Sequence, residues 1–324
     1  MSLADKIFIE NCNNILESGT PTMGEHVRAL WDDNKPAYTI RKFGITNRYD
    51  LRKEFPAITL RHTAIKSAAD EMLWIYQKKS NNIADLNSHI WDSWADQSGS
   101  IGKSYGYQVS RKIVCRDKSY EPEYILEHKD EFNEKIVSNV KHELEMCKIY
   151  DGDRSFTVKL CRLMDQMDAT LYDLKHDPFS RRIIISLWDV EELPEMNLQP
   201  CCWSINFVVT KEQNNLVLNM VLHQRSADML TANNWNVTQY AILLMMVAQS
   251  VDMVPGELVH VIADAHIYDR HIPIVKELLS KPTFDAPEVT LNTEIKDFYK
   301  FTTKDINIKN YTYNDFNYKI PVAI

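Results

Sequence analysis

The chain opens on a helical pattern, with apolar residues from Leu3 to Leu16 recurring at three- and four-residue spacing before Ser18-Gly19 supplies a stop. A pair of strands is expected around Tyr38–Tyr49, and an amphipathic helix over Ala64–Gln77 (AIKSAADEMLWIYQ). From Arg111 to Arg154 charged residues crowd the chain and apolar ones thin out, which reads as a surface insertion rather than a separate core; a helix resumes over Thr157–Lys175. After Arg182 the character changes. RRIIISLWDV, CWSINFVVT and NLVLNMVLHQRS are β-branched runs separated by polar turns, as sheet strands are. Val237–Val251 is helical again, LVHVIADAHIY is a further strand, and short strand-like pieces follow Pro287 up to the apolar Pro321-Val322-Ala323-Ile324. Strands and helices alternate without a regular βαβ rhythm, so the class is α+β. With no linker and no repeat, residues 1–324 read as one domain carrying an insertion at about 111–154.

Composition narrows the function classes. The 324 residues are 44% hydrophobic and 25% charged, ordinary for a globular protein. A net charge of −8 is the wrong sign for gripping a nucleic-acid backbone, although a few focused arginines still suit a small anion. The longest apolar stretch, Tyr240–Val251, is too short to span a bilayer and reads as a buried helix; the N-terminus carries no secretory pattern. Six cysteines (Cys12, Cys115, Cys147, Cys161, Cys201, Cys202) form no CxxC pair and no zinc spacing, which points to the reducing cytosol and to no metal.

Four constellations carry candidate chemistry. Gln199-Pro200-Cys201-Cys202 lies between two strands; a cysteine there is either packing or a nucleophile, and a nucleophile needs nearby cations such as Arg181, Arg182 or Arg225 to favour the thiolate. Asp177–Arg182 (DPFSRR) is either a solvated strand start or a phosphate clamp, since guanidinium forks match phosphate oxygens. His223–Asn236 is either helix capping or a functional loop, in which Asn236 can both donate to and accept from a pyrimidine edge. His266 and Tyr268 are two apart on a strand and face the same way, which suits two contacts to a sugar.

In order along the chain, EMLWIY (Glu71–Tyr76), IWDSWAD (Ile90–Asp96), the Gly-x-x-Tyr-Gly-x-Gln run (Gly102–Gln108), DPFSRR, LQPCC, QRSAD, the Trp235-Asn236 pair, DAHIY and PVAI resemble the thymidylate synthase family, closest to a divergent branch of bacilli and their phages. The resemblance implies a large twisted mixed β-sheet flanked by helices, two sheets packed back-to-back in a cytoplasmic homodimer. The activity it implies is reductive methylation of dUMP to dTMP by 5,10-methylenetetrahydrofolate, which donates carbon and hydride and leaves dihydrofolate without metal, flavin or nicotinamide. Cys201 would attack C6, Glu71 would organise proton transfer near O4, and Tyr105 would assist removal of the C5 proton. Asn236 would select uracil. The resemblance assigns dUMP to Arg28, Gln224, Arg225, Ser226, Asn236, His266 and Tyr268, with Arg181 and Arg182 reaching across the dimer to the partner's phosphate. It assigns folate to Ile90, Trp91, Trp94, Asp228, Trp235 and Ile324.

The chain departs from the family pattern at several positions. The usual phosphate loop is replaced by VRALWDDNKPAYT, where Arg28, or otherwise Lys35, takes the arginine's part. Cys202 stands where histidine is common, Asn206 where glutamine is, and Ala232, Asn234 and Trp235 replace Gly, Pro and Phe. The rival activities are a dUMP 5-hydroxymethylase of the same fold, which adds water in place of hydride, and a non-catalytic nucleotide- or RNA-binding protein. The dCMP-specific hydroxymethylases usually carry aspartate at the position of Asn236.

Overall fold

Ser2 starts the first helix by accepting the Asp5 N–H on its hydroxyl, and α1 (Leu3–Ser18) then buries Ala4, Phe8, Cys12 and Ile15 along one stripe. It stops at Gly19, where an added Cβ would lie 2.4 Å from the Ile15 carbonyl and 2.6 Å from the Ile40 side chain. The computed structural model describes residues 1–112, 114–150 and 156–324, with the backbone alone for 115–118, 147–150, 159, 161 and 162. Arg154, the expected end of the insertion, lies outside the described residues, as do the side chains of Cys115, Cys147 and Cys161.

The remaining helices are α2 (Ile65–Tyr76), α3 (Gly106–Ser110), α4 (Pro122–Glu127), α5 (Glu134–Tyr150), α6 (Gln166–His176), α7 (Asn233–Ser250) and α8 (Ile272–Leu279). The strands are β1 (Thr20–Pro21), β2 (Thr39–Asp50), β3 (Val114–Tyr120), β4 (Val158–Met164), β5 (Ile184–Ser186), β6 (Cys202–Glu212), β7 (Asn215–Gln224), β8 (Ala227–Asp228), β9 (Val254–Tyr268), β10 (Glu288–Leu291) and β11 (Ile306–Lys309). The chain forms two compact units, one of Met1–Ser110 with Thr170–Ile324 and one of Arg111–Ala169.

In the larger unit a mixed sheet runs β1-β2-β9-β7-β6-β5, with β8 also beside β9. β7 and β8 are parallel to β9, and every other pairing is antiparallel. α1 and α7 lie against the sheet, and α2 packs on α7. α7 is buried on nearly every side, as an all-round apolar sequence requires. On the other sheet face the row Asn206–Val221–Val259–Arg48, continuous across four strands, is partly or fully exposed, with Val208 at 43%.

Three expectations are corrected. The pair of strands at Tyr38–Tyr49 is one strand, because β9 is long enough to pair with all of β2, from Thr39↔Tyr268 to Asp50↔Glu257. The helix over Ala64–Gln77 is not amphipathic: every residue from Ala68 to Tyr76 is buried. The segment Thr157–Lys175 divides into β4 and then α6, since antiparallel pairing with β3 (Val114↔Met164 to Tyr120↔Val158) overrides the helical reading. The charged segment also has an apolar cluster of its own, with Ile125, Val137 and Val140 packed by Tyr120, Leu126, Phe132 and Val158.

One buried carboxylate ties distant segments of the larger unit together. Asp5, fully buried, accepts the Thr59 hydroxyl (2.5 Å), the Thr59 and Leu60 N–H groups (2.7 and 3.3 Å) and the Ser2 hydroxyl (2.9 Å). Thr59 in turn accepts the Phe284 and Asn314 N–H groups. Asp5→Ala leaves these donors without their acceptor and is expected to lower unfolding free energy by about 3 kcal/mol, measured by urea titration.

Candidate active site

Cys201 sits in the turn before β6 and Cys202 is its first residue, so their side chains diverge. Cys202 is buried among Tyr76 and Tyr240, whose hydroxyls meet at 3.0 Å. Cys201 is half-buried; its N–H donates to the Tyr105 hydroxyl (3.0 Å), and its thiol lies 3.8 Å from an Arg225 Nη. Arg225 is held in turn by donating to the Gln199 and Pro200 carbonyls (2.8 and 3.0 Å). Burial pushes the Cys201 thiol up, while Arg225 and Arg28 pull it down without overcoming burial. The sequence had suggested Arg181 and Arg182 beside Arg225. Both are instead exposed in the turn before β5, and Arg28 is the second cation whose field reaches the thiol.

Tyr105 is buried with its backbone in the left-handed region (φ 45°). The next residue must be glycine, because a Cβ on Gly106 would lie 2.0 Å from the Ser80 carbonyl oxygen. Tyr105 meets the Trp91 ring edge-on at 5.0 Å. The Trp91 indole N–H donates to Glu71 Oε1 (2.7 Å), and the Trp235 indole N–H donates to Glu71 Oε2. Glu71 is buried, and burial raises its proton affinity against the pull of these donors.

Asn236 belongs to the first turn of α7 rather than to the loop before it, and the Ala232 N-cap carries no side-chain capping bond. Its Oδ1 accepts from Gln224 Nε2 (3.2 Å), and its Nδ2 approaches Gln239 Oε1 at 3.5 Å. Gln224 is buried and spends its whole amide on protein partners: Nε2 also donates to the Ser226 carbonyl (2.8 Å), and Oε1 pairs with His260 Nε2 (2.7 Å). His260 was missed in the sequence. Its signal was a polar residue in the apolar alternation Leu258–His260–Ile262, and burial holds it neutral, its ring pushed down to about 3.

At the end of β9, His266 bonds Asp264 (2.9 Å) and meets the Tyr268 ring at 5.1 Å. Burial pushes the Tyr268 hydroxyl up to about 12. Asp228 caps the turn before α7, accepting the Leu230 N–H (2.9 Å) and the Thr231 hydroxyl (2.5 Å). Leu30 and Ile324 exchange backbone hydrogen bonds (2.8 and 3.0 Å), which brings the last residue beside the loop carrying Arg28. Lys35 instead pairs with Asp33 (3.2 Å) on the surface. Of the residues suggested for folate, Ile90 and Ile324 are exposed and Trp94 and Trp235 half-buried, whereas Trp91 is enclosed by Trp74, Trp94 and Tyr105. Among the described residues no His, Cys, Asp and Glu cluster fits a metal ion, and no helix is long and apolar enough to cross a membrane.

The family model described as "Thymidylate synthase" matches residues 6–324. Thymidylate synthase 1 of Bacillus spizizenii is 33% identical over 319 residues, covering 97% of each chain, and the thymidylate synthase of Bacillus phage phi3T shows the same identity and coverage. The solved structure of thermostable thymidylate synthase A from Bacillus subtilis superposes with a TM-score of 0.79 at 33% identity, over 99% of each chain.

His271, also missed, is buried; it faces Asp228 at 3.5 Å and its Nε2 bonds the Pro321 carbonyl (2.8 Å). Desolvation lowers its proton affinity, but Asp228 and Pro321 reverse this, and the net effect is upward. The folded ring therefore holds its proton more tightly than the unfolded one. The stabilisation is complete below the unfolded value of about 6.5 and is lost as pH rises through the folded value. The stability advantage of wild type over His271→Gln in urea titrations is expected to narrow from pH about 6 to about 9; a constant or widening gap would refute it.

Proposed function

The chain belongs to the thymidylate synthase family of methyltransferases, and on that footing we propose that it converts dUMP to dTMP, taking carbon and hydride from 5,10-methylenetetrahydrofolate. The observation that carries this reading is the convergence on one half-buried cysteine of Arg225 and Arg28, whose charges reach its thiol, and of the Tyr105 hydroxyl, which accepts its N–H, with Asn236 held in a fixed orientation by Gln224.

Arg225 and Arg28 bind the dUMP phosphate, and Ser226 lies beside it. His266 and Tyr268 hold the deoxyribose. Asn236 offers one donor and one acceptor to the uracil edge, and Gln224, its amide already committed, orients Asn236. The Cys201 sulfur adds to C6 once its proton has left, and the arginines favour that thiolate. The addition puts negative charge on C5 and O4, where Glu71 manages the proton through water. Tyr105 serves removal of the C5 proton, and its hydroxyl is fixed by the Cys201 N–H. When bound, methylenetetrahydrofolate supplies the one-carbon unit and the reducing hydride. The exposed apolar surfaces of Ile90, Trp94, Trp235 and Ile324 fit its rings, and Asp228 keeps acceptor capacity for the pterin.

The same reading makes the protein a cytosolic homodimer. Its supports are the open face of the sheet and the exposure of Arg181 and Arg182, which on this view serve the partner's phosphate. Residues 111–169 are then an elaboration of a single catalytic domain.

Cys201→Ser is expected to lower dTMP formation by at least roughly a thousandfold. Retained turnover in that variant would refute the assignment. Mass analysis of the wild-type product tests the reaction itself, because a hydroxymethylated nucleotide in place of dTMP identifies the water-adding alternative.

A further inference from the structure

Glu71 is the one carboxylate at this site with an indole N–H on each oxygen, Trp91 on Oε1 and Trp235 on Oε2. An indole nitrogen only donates. A protonated carboxyl places its own hydrogen on one of the two oxygens and leaves that oxygen a much weaker acceptor, so protonation weakens one of the two indole bonds. Trp91 is enclosed by three aromatic neighbours, Trp74, Trp94 and Tyr105, at 5.9, 5.7 and 5.0 Å. Trp235 is half-buried, in the first turn of α7, directly before Asn236.

We propose that Trp235 is a positioning residue for Glu71, gripping Oε2 so that the carboxylate is held in one orientation between the two indoles and its ionised form is favoured. The inference rests on the functional reading above, which makes Glu71 the proton-handling group.

Of the other polar groups facing Glu71, Gln239 also favours its ionisation, but less than either indole does. Asp70, its neighbour on α2, is held by Asn87 (2.8 and 3.0 Å) and opposes ionisation of Glu71. Tyr76 on α2, Tyr105 before α3 and Cys202 on β6 are all pushed up by burial, so they stay neutral through the working range. Gln239 on α7 is uncharged and gives its Oε1 to Asn236. Burial drives Glu71 toward the protonated form, and the indole donors oppose it.

The test is an infrared titration of the full-length protein, following the carbonyl stretch of protonated Glu71, which is identified by its absence in Glu71→Gln. Trp235→Phe is compared with wild type, together with a variant carrying 3-benzothienylalanine at position 235, which keeps the bicyclic ring but has no N–H. Both are expected to bind the Glu71 proton about tenfold more tightly, moving the midpoint up by about one pH unit. The acid limb of kcat should move with it while KM for dUMP stays near wild type. Midpoints that coincide with wild type overturn the inference, and the isosteric variant decides the matter if Trp235→Phe does not fold. The functional reading is tested separately: wild type that makes no dTMP overturns that reading, while the infrared midpoints still report on the clamp.

Discussion

Because β7 runs parallel to β9, both strands deliver their C-terminal ends to the same edge of the sheet, and β6, antiparallel to β7, begins where β7 ends. Parallel neighbours cannot be joined by a tight turn; they need a crossover that carries the chain back along the sheet. Here the crossover is α7, so its first turn must lie at the edge that β7 has just reached. Cys201 before β6, residues 224–228 from the end of β7 through β8, Trp235 and Asn236 at the start of α7, and His266 and Tyr268 at the end of β9 are thereby brought to one place from four separate stretches of sequence. β2 adds to this edge, since Thr39 pairs with Tyr268 and the loop before it carries Arg28.

The edge is also where polar groups are taken out of water, and three of those at the candidate site are given partners. Gln224 bonds His260, Ser226 and Asn236; Asp228 is met by its own turn and faces His271; Glu71 sits between two indoles. A buried polar group left alone costs far more than a paired one gains, so these bonds restrict each side chain to a single orientation. Cys201, the proposed nucleophile, is treated differently. Its sulfur has one weak contact with Arg225 and the fields of two arginines, and burial outweighs both.

Where sequence periodicity reported on burial alone it served well: α1, α7 and strands β6, β7 and β9 lie where their apolar patterns put them. It failed where tertiary pairing decided. Nothing local distinguishes one twelve-residue strand at Thr39–Asp50 from two shorter ones until β9 is beside it, and the same holds for β4 beside β3. At the candidate site, motif order singled out Cys201, Arg225 and Asn236, and folding sets Arg225 beside the Cys201 thiol and Asn236 against Gln224. His260 and His271 were not singled out, since their importance lies in the partners they meet, Gln224 and Asp228, which the sequence leaves far away. Trp91, expected in the folate wall, is buried and donates to Glu71, a partner that its place in the sequence does not suggest.

The unit of Arg111–Ala169 carries a different consequence. Its incoming strand β3 and outgoing strand β4 are hydrogen-bonded to each other over seven residue pairs, and its apolar cluster is drawn from within its own length. Closing a loop costs an entropy that grows only slowly with the length enclosed. A segment whose two ends already meet through its own strands therefore places little further demand on the chain that hosts it. Such a segment behaves as a cassette: it can lengthen, shorten or change its surface by descent while the strands that build the edge with the candidate site keep their register.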